Sequence, residues 1–371
     1  MSVKSHFGQF AARLRDFIIS TSSTSPKTPV QGMFESLALD LFVLQYGNNP
    51  AYRRICDSRS ASPQSVQHWT QIPAVPTSAF KEFTLSCLPS GNRTSCFFSS
   101  GTTQQQPSRH FHNAQSLAIY ESSALAWFNA HFCSHHRNSS KLDLQQLAIL
   151  TPSPAEAPNS SLVYMFEIIR RSIGTKQSSF LGRTGDDNGW TLEFERTLET
   201  LKHFAQNEQP AFLLGTAFSF VHLLDFLADH NIRLQLPSAS RVLETGGYKG
   251  RSREMSRTNL HLLITRHLGI PPDGILCEYG MSELSSQAYS TPSNASRFLF
   301  PPWARAQVIS PETGREVGET ETGLLRVYDL ANVYSVMAIQ TEDLGIRCRN
   351  GFELLGRAVL AEPRGCSLMA V

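Results

Sequence analysis

Charge is scarce in this 371-residue chain: only 17% of its residues are Asp, Glu, Lys or Arg, below the quarter or so common in soluble domains. What charge there is balances, 33 basic against 31 acidic residues for a net charge of +2. The electrostatic footprint of a nucleic-acid binder is therefore missing. The cysteines, at positions 56, 87, 96, 133, 277, 348 and 366, are odd in number and form no CxxC pair. They suggest neither a disulfide framework nor a zinc site, and reduced thiols in a cytoplasmic protein are the reading they support. No run reaches the roughly 20 apolar residues of a bilayer span. The greasiest stretch, Ala211 to Leu227, is interrupted by His222 and Asp225, and it reads as a buried strand and a buried helix joined at Gly215. The first 21 residues hold an apolar block only at Phe17-Ile18-Ile19, too short for a secretory core. No internal repeat or low-complexity tract is evident.

What the chain has is apolar material for a large core, 41% of its residues. Apolar residues recur at helical spacing over 7–19, 33–44 and 114–132, the last as a long amphipathic helix. Pro-punctuated IPAVPTSAF (72–80) reads as extended, and Cys96-Phe97-Phe98 and Leu147 to Leu150 as strands. Helices near 161–173 and 191–206 flank a Gly/Asp loop at 182–189. Strand 241–244 runs into a Gly-Gly turn, and helix 253–268 precedes strand 274–277. From about 303 the pattern changes to short alternating strands with Gly turns (AQVIS, GLLRVYDL, GFELLGRA). Strands alternating with helices and then a β-rich module predict an α/β protein with more than one sheet.

Four motifs carry chemistry. Ser99-Ser100-Gly101-Thr102-Thr103 follows an apolar strand, and its hydroxyls and backbone N–H groups can surround phosphate oxygens. It is no Walker loop, because Gln104, Gln105 and Gln106 follow and no Lys does. Glu278-Tyr279-Gly280-Met281-Ser282-Glu283 offers a ring for a base, a hydroxyl for a phosphate and a carboxylate for Mg²⁺. Thr341-Glu342-Asp343 stands before a turn at Gly345, with an Asp suited to ribose hydroxyls. Gly356-Arg357 ends GFELLGR. Each alone is more often a plain turn or strand edge. The histidines at 131 and 135 lie one helical turn apart without a carboxylate partner and read as a solvated helix end, while Cys96 and Cys277 read as packed strand cysteines.

In this order and spacing the motifs resemble the adenylate-forming (ANL) superfamily over about residues 72–366. Within it the chain is most similar to the acyl-protein synthetases of the LuxE type, on IPAVPTSAFKEF, DLAN (329–332), TEDLG, GFELLGR and AEPRGCSL. The resemblance implies an ANL-type large adenylation domain with two α/β subdomains and a β-rich C-terminal subdomain, lacking the small C-terminal domain with its catalytic Lys. The corresponding division is 1–300 as adenylation core, 301–355 as β-rich subdomain and 356–371 as tail. ATP and Mg²⁺ are the implied cofactors. Ser99, Ser100, Gly101, Thr102 and Thr103 would hold the phosphates, and Gly246, Gly247 and Tyr248 would line adenine with Tyr279 stacked on it. Ser282, beside Gly280, would touch the α-phosphate, Glu283 would bind Mg²⁺, Asp343 the ribose, and Arg357 the ribose or a phosphate. Gln104 departs from the family's usual Gly.

The same resemblance places an acyl-accepting cysteine at Cys366. A thiolate is a good nucleophile toward a mixed anhydride, Arg364 would raise its thiolate fraction, and the nine residues after Arg357 span up to about 30 Å. The implied activity adenylates a carboxylic acid, long-chain fatty by analogy, and passes the acyl group through Cys366 to a protein partner such as a reductase. An acyl-CoA or acyl-carrier-protein ligase, or a non-catalytic nucleotide- or acyl-binding homologue, are the alternatives.

Overall fold

The computed structural model describes residues 3–21, 30–99, 106–133, 145–185, 189–246, 255–291 and 294–358. Along the chain come α1 (Val3–Thr21), α2 (Val30–Asn48), α3 (Pro50–Ser58), β1 (Val75–Pro76), α4 (Ala79–Glu82), β2 (Ser95–Phe98), β3 (Arg109–His112) and α5 (Ala114–Cys133). Then follow β4 (Gln146–Ile149), α6 (Ser161–Ile173), β5 (Ser179–Phe180), β6 (Gly182–Thr184), β7 (Trp190–Leu192), α7 (Phe194–Gln206), β8 (Ala211–Thr216), α8 (Ala217–Asp229), β9 (Arg241–Thr245) and α9 (Arg257–Leu268). The remainder is strands: β10 (Ile275–Tyr279), β11 (Ala288–Thr291), β12 (Asn294–Leu299), β13 (Ala304–Ile309), β14 (Thr322–Asp329), β15 (Ala338–Arg347) and β16 (Phe352–Arg357).

Twelve strands make one mixed sheet in the order β13-β14-β15-β16-β12-β11-β10-β9-β8-β4-β5, with β1 alongside β15. From β5 to β10 all neighbours are parallel; from β10 to β13 all are antiparallel. The fold class is α/β, as expected. In the parallel part the side chains alternate with the strand period of two. Leu147, Ile149, Phe212, Leu214, Leu243 and Leu276 face α5 and α6, whereas Ala148, Leu213, Val242 and Ile275 face α7, α8 and α9. Helices α1 to α3 pack on the other end, against Trp303, Tyr328 and the 330–339 segment.

Four local expectations need correction. The break between β8 and α8 falls after Thr216, whose hydroxyl accepts the Ser219 N–H as helix cap at 3.2 Å, so Gly215 lies inside the strand. There its missing side chain admits Leu150 and Phe220, both within 3.1 Å of where a Cβ would stand. Helix α5 is not amphipathic: from Ser116 to Phe132 no residue is exposed, because Ile119 joins the core under α1 and α2 while Tyr120 and Phe128 join the sheet core. The 182–189 loop contains strand β6, paired with β7. Thr341 to Gly345 is no turn but the middle of β15, where the pairing with β16 shifts register between Leu344 and Gly345. A Cβ at Gly345 would lie 2.8 Å from Leu325, so the strand needs glycine at that irregularity.

Candidate active site

The Ser/Thr/Gly loop springs from the β2–β3 hairpin. Ser99 and Ser108 close its neck: Ser99 N–H donates to the Ser108 carbonyl at 3.2 Å, and Ser99 Oγ accepts the Ser108 N–H at 2.9 Å. Ser100, Gly101, Thr102 and Thr103 lie outside the described residues, as do Gly247, Tyr248 and Cys366. On β3, His110 and His112 are buried side by side, ring centroids 4.2 Å apart. Burial lowers the pKa of His110 from 6.5 to about 4, so the ring is neutral at neutral pH. Its Nδ1 lies 2.9 Å from the Ser282 carbonyl. A carbonyl only accepts, so Nδ1 carries the proton. That bond ties the loop-bearing hairpin to the second motif.

The second motif leaves β10 where the sheet changes from parallel to antiparallel. Strand β9 ends beside it at Gly246, whose φ of +72° is the left-handed conformation glycine adopts without strain. Thr245 donates its hydroxyl to the Glu278 carboxylate between the two strand ends. A Cβ on Gly280 would meet that carboxylate, which would have to shift. Ser282 Oγ donates to Glu283 Oε2 at 2.9 Å, and both residues are buried.

Asp329 and Asn332, from DLAN, hold this loop from beneath. Asp329 is fully buried and accepts the N–H groups of Ser285 and Ser286 at 2.8 Å, the Ser286 hydroxyl at 2.7 Å and the Ala331 N–H at 2.9 Å. Burial raises its pKa above the ordinary carboxylate value, and the four donors oppose the shift. Asn332 Nδ2 donates to the Glu283 carbonyl at 2.8 Å, while its Oδ1 accepts the Ser285 hydroxyl at 2.7 Å.

The third and fourth motifs meet across β15 and β16, where Asp343 and Arg357 are register partners. Tyr279 Oη donates to Asp343 Oδ2 at 2.8 Å, and Arg357 Nε lies 3.7 Å from Asp343 Oδ1. Burial raises the Asp343 pKa, while the Tyr279 hydroxyl and Arg357 pull it down. Arg357 is 80% exposed, so this ion pair adds little to stability. The Tyr279 ring is edge-on to Phe298, Phe300 and Phe352. The IPAVPTSAF segment converges here too. Val75 and Pro76 pair with Ile339 and Gln340 just before Thr341, and Phe80 lies edge-on to His110 at 6.4 Å.

Ser282, Glu283, Tyr279, Asp343 and Arg357 are thus brought together, with the neck of the Ser/Thr/Gly loop attached through His110. Sequence reasoning missed His110, Thr245 with Glu278, and the supporting role of Asp329 and Asn332. DLAN left a visible signal as part of a motif, and Glu278 stands at the head of the second motif. Cys277 is buried as expected, but Glu244 and His261 surround its sulfur. A separate cleft of about 470 Å³ opens beside β12, β13 and β16, lined by Trp69, Phe300, Arg305 and Phe352 among others. None of the described candidate residues lines it.

Residues 13–370 match the family described as acyl-protein synthetase, LuxE. A long-chain-fatty-acid–luciferin-component ligase of Aliivibrio fischeri is 23% identical over 317 residues, covering 84% of this chain and 78% of its own. The protein of the same name from Vibrio harveyi is 22% identical over 334 residues, covering 87% and 83%. Among solved structures, an open conformation of 2-hydroxyisobutyryl-CoA ligase with 2-HIB-AMP and CoA superposes with a TM-score of 0.63 at 11% identity, over 88% of this chain and 70% of that one. The same ligase in its thioesterification state gives 0.63 over 89% and 68%. At that identity the likeness establishes the shared fold. With nearly its whole length matched, the chain belongs to the acyl-protein synthetase (LuxE) family.

Proposed function

We propose that this protein is an ATP-dependent acyl-protein synthetase that adenylates a carboxylic acid, long-chain fatty in class, and moves the acyl group to its own Cys366. The observation that carries the reading is the junction of the four motifs: His110 of the loop-bearing hairpin bonded to Ser282, and Tyr279 bonded to the Asp343 that Arg357 flanks. A ribose hydroxyl acceptor, a ring and a phosphate-side hydroxyl on neighbouring elements suit one nucleotide. Ser99 to Thr103 would hold its phosphates, Gly246, Gly247 and Tyr248 would border adenine, and Glu283 would hold Mg²⁺. The buried Glu283 carboxylate beside Ser282 fits an ion that takes one or two carboxylates plus phosphate oxygens. That charge would stabilise the phosphates. The division into core (1–300), β-rich part (301–355) and tail (356–371) belongs to this reading.

In the first step a carboxylate oxygen of the acid attacks the α-phosphorus, and pyrophosphate leaves. In the second, the Cys366 thiolate attacks the acyl carbonyl, the C–O bond to AMP breaks, and a thioester forms. The thiols of Cys56, Cys87, Cys96, Cys277 and Cys348 are poor rivals. Burial pushes Cys56 and Cys96 up to about 11, and raises Cys87, Cys277 and Cys348 above the ordinary thiol value. Such thiols hold little thiolate at neutral pH. The thioester would then pass to a protein partner such as a reductase, in a cytoplasmic setting where ATP is plentiful. No described helix is long and apolar enough to cross a membrane.

The test is to incubate the pure chain with Mg-ATP and a panel of fatty and aromatic acids, then weigh it intact. An acyl mass released by hydroxylamine and missing in Cys366→Ser is the expected result. An adduct that survives in Cys366→Ser would contradict the acceptor role, and no adduct with any acid would contradict the self-acylating reading.

A further inference from the structure

Three side chains with metal-ligand chemistry converge on the α9 face of the sheet, next to the start of the second motif. Glu244 on β9 and Cys277 on β10 are direct register partners, and His261 reaches them from α9. Cys277 Sγ lies 3.2 Å from Glu244 Oε2 and 3.6 Å from His261 Nε2, and Nε2 lies 3.8 Å from the same Oε2. Glu244 and Cys277 are buried, and the His261 side chain is only 13% exposed.

The geometry points to a zinc site with Glu244, His261 and Cys277 as its three protein ligands and water in the fourth position. A tetrahedral Zn²⁺, with Zn–S about 2.3 Å and Zn–N or Zn–O about 2.0–2.1 Å, sets donor–donor edges of about 3.5 Å to sulfur and about 3.3 Å between nitrogen and oxygen. The three observed edges of 3.2, 3.6 and 3.8 Å lie within about half an ångström of these. A hydrogen-bond relay would use both ring nitrogens, one for each partner. Here sulfur and carboxylate both crowd Nε2, as ligands around one ion do.

Charge supports the same conclusion. A thiolate, a carboxylate and a neutral imidazole sum to two negative charges, which Zn²⁺ cancels, so the buried group becomes neutral as a whole. A mixed sulfur, nitrogen and oxygen set selects zinc over magnesium, which takes oxygen ligands. This ion is therefore distinct from the Mg²⁺ assigned to Glu283. Binding displaces the Cys277 thiol proton to solvent. The site staples α9 to two strand ends, two residues before Gly246 on β9 and two before Tyr279 on β10.

The test uses the full chain, stripped with a chelator and titrated with Zn²⁺ against a competing chromophoric chelator, then with Co²⁺ as an optical reporter. About one Zn²⁺ per chain is expected to bind, with a sulfur-to-cobalt charge-transfer band and a Tm that rises on Zn²⁺ addition. Cys277→Ser should lose the band. His261→Gln should weaken Zn²⁺ binding by at least the roughly 10- to 100-fold that losing even an outer partner costs. His261 reaches solvent, so His261→Gln carries the test should Cys277→Ser not fold. No band in the wild type, or a band and Zn²⁺ affinity unchanged in both variants, would overturn the site. The cluster would then be held by protons, with the Cys277 thiol donating to Glu244.

Discussion

The parallel half of the sheet, β4, β5 and β8 to β10, is covered on both faces by helices and buries mostly Leu, Ile, Val and Phe. The antiparallel half, β11 to β16, buries polar groups among its aromatic rings: Asp329, Asn332, Ser285, Ser286 and the Tyr279–Asp343 pair. Apart from Glu244, Thr245, Cys277 and Glu278 at the ends of β9 and β10, the first half is a scaffold whose strands need only be apolar and correctly spaced. The second positions particular atoms, so its residues are constrained by partners. Strand β10 belongs to both, parallel to β9 and antiparallel to β11. The loop carrying Ser282 and Glu283 leaves from its C-terminal end. Ligands of open α/β sheets gather at such points, where strand direction or order changes.

Substitutions can break this contrast. The largest loss belongs to Asp329→Ala, which strands three backbone N–H groups and the Ser286 hydroxyl. At roughly 1–3 kcal/mol for each unsatisfied buried group, denaturant unfolding should show a loss of about 5 kcal/mol or no folded protein. In the parallel half Leu213→Ala removes a fully buried side chain and should cost about 3.5 kcal/mol through the cavity it leaves. It should leave the polar network intact, so nucleotide affinity should hold. If Asp329→Ala proves as mild as a surface change, the division between scaffold and positioning half fails.

Acid sharpens the comparison next. The folded-state pKa of His110 is about 4 against an ordinary 6.5, so between those values the unfolded chain binds a proton that the native chain does not. Stability is full above pH 6.5 and falls as pH drops toward 4, by about 3 kcal/mol at the lower end. His112, lowered by burial and by His110, adds to the same slope. Unfolding curves from pH 7 to 4.5 should show it, and His110→Asn should flatten it. The smallest effect is that of Tyr279→Phe, which removes one hydrogen bond to a carboxylate and should cost about 1.5 kcal/mol.

The scaffold half was readable in advance for a physical reason. AFLLGTAFSFVHLL is apolar enough that only burial suits it, and β8 with α8 follows. Strand β15 was not readable, because Thr341-Glu342-Asp343 and Gly345 have turn composition. Their strand conformation comes from pairing with β14, β16 and β1, partners remote in sequence. The two-sided burial of α5 was hidden likewise, since its outer cover is α1. Candidate residues within one motif could be read as a group, Ser282 with Glu283 above all, and the structure puts those two in contact. His110 gave no sign, because its partner is the Ser282 backbone, 172 residues away. Glu244, His261 and Cys277 stand on three elements and match no spacing rule, so only the folded sheet reveals them as a cluster.

The central claim, that a carboxylic acid is activated where the two halves of the sheet meet, is tested most directly by acid-dependent exchange of radiolabelled pyrophosphate into ATP. The account predicts exchange with at least one fatty acid, undiminished in Cys366→Ser. It predicts a loss of about 100-fold or more in Glu283→Gln, the scale of removing a charge-stabilising group. No exchange with any acid, or full exchange in Glu283→Gln, would contradict it.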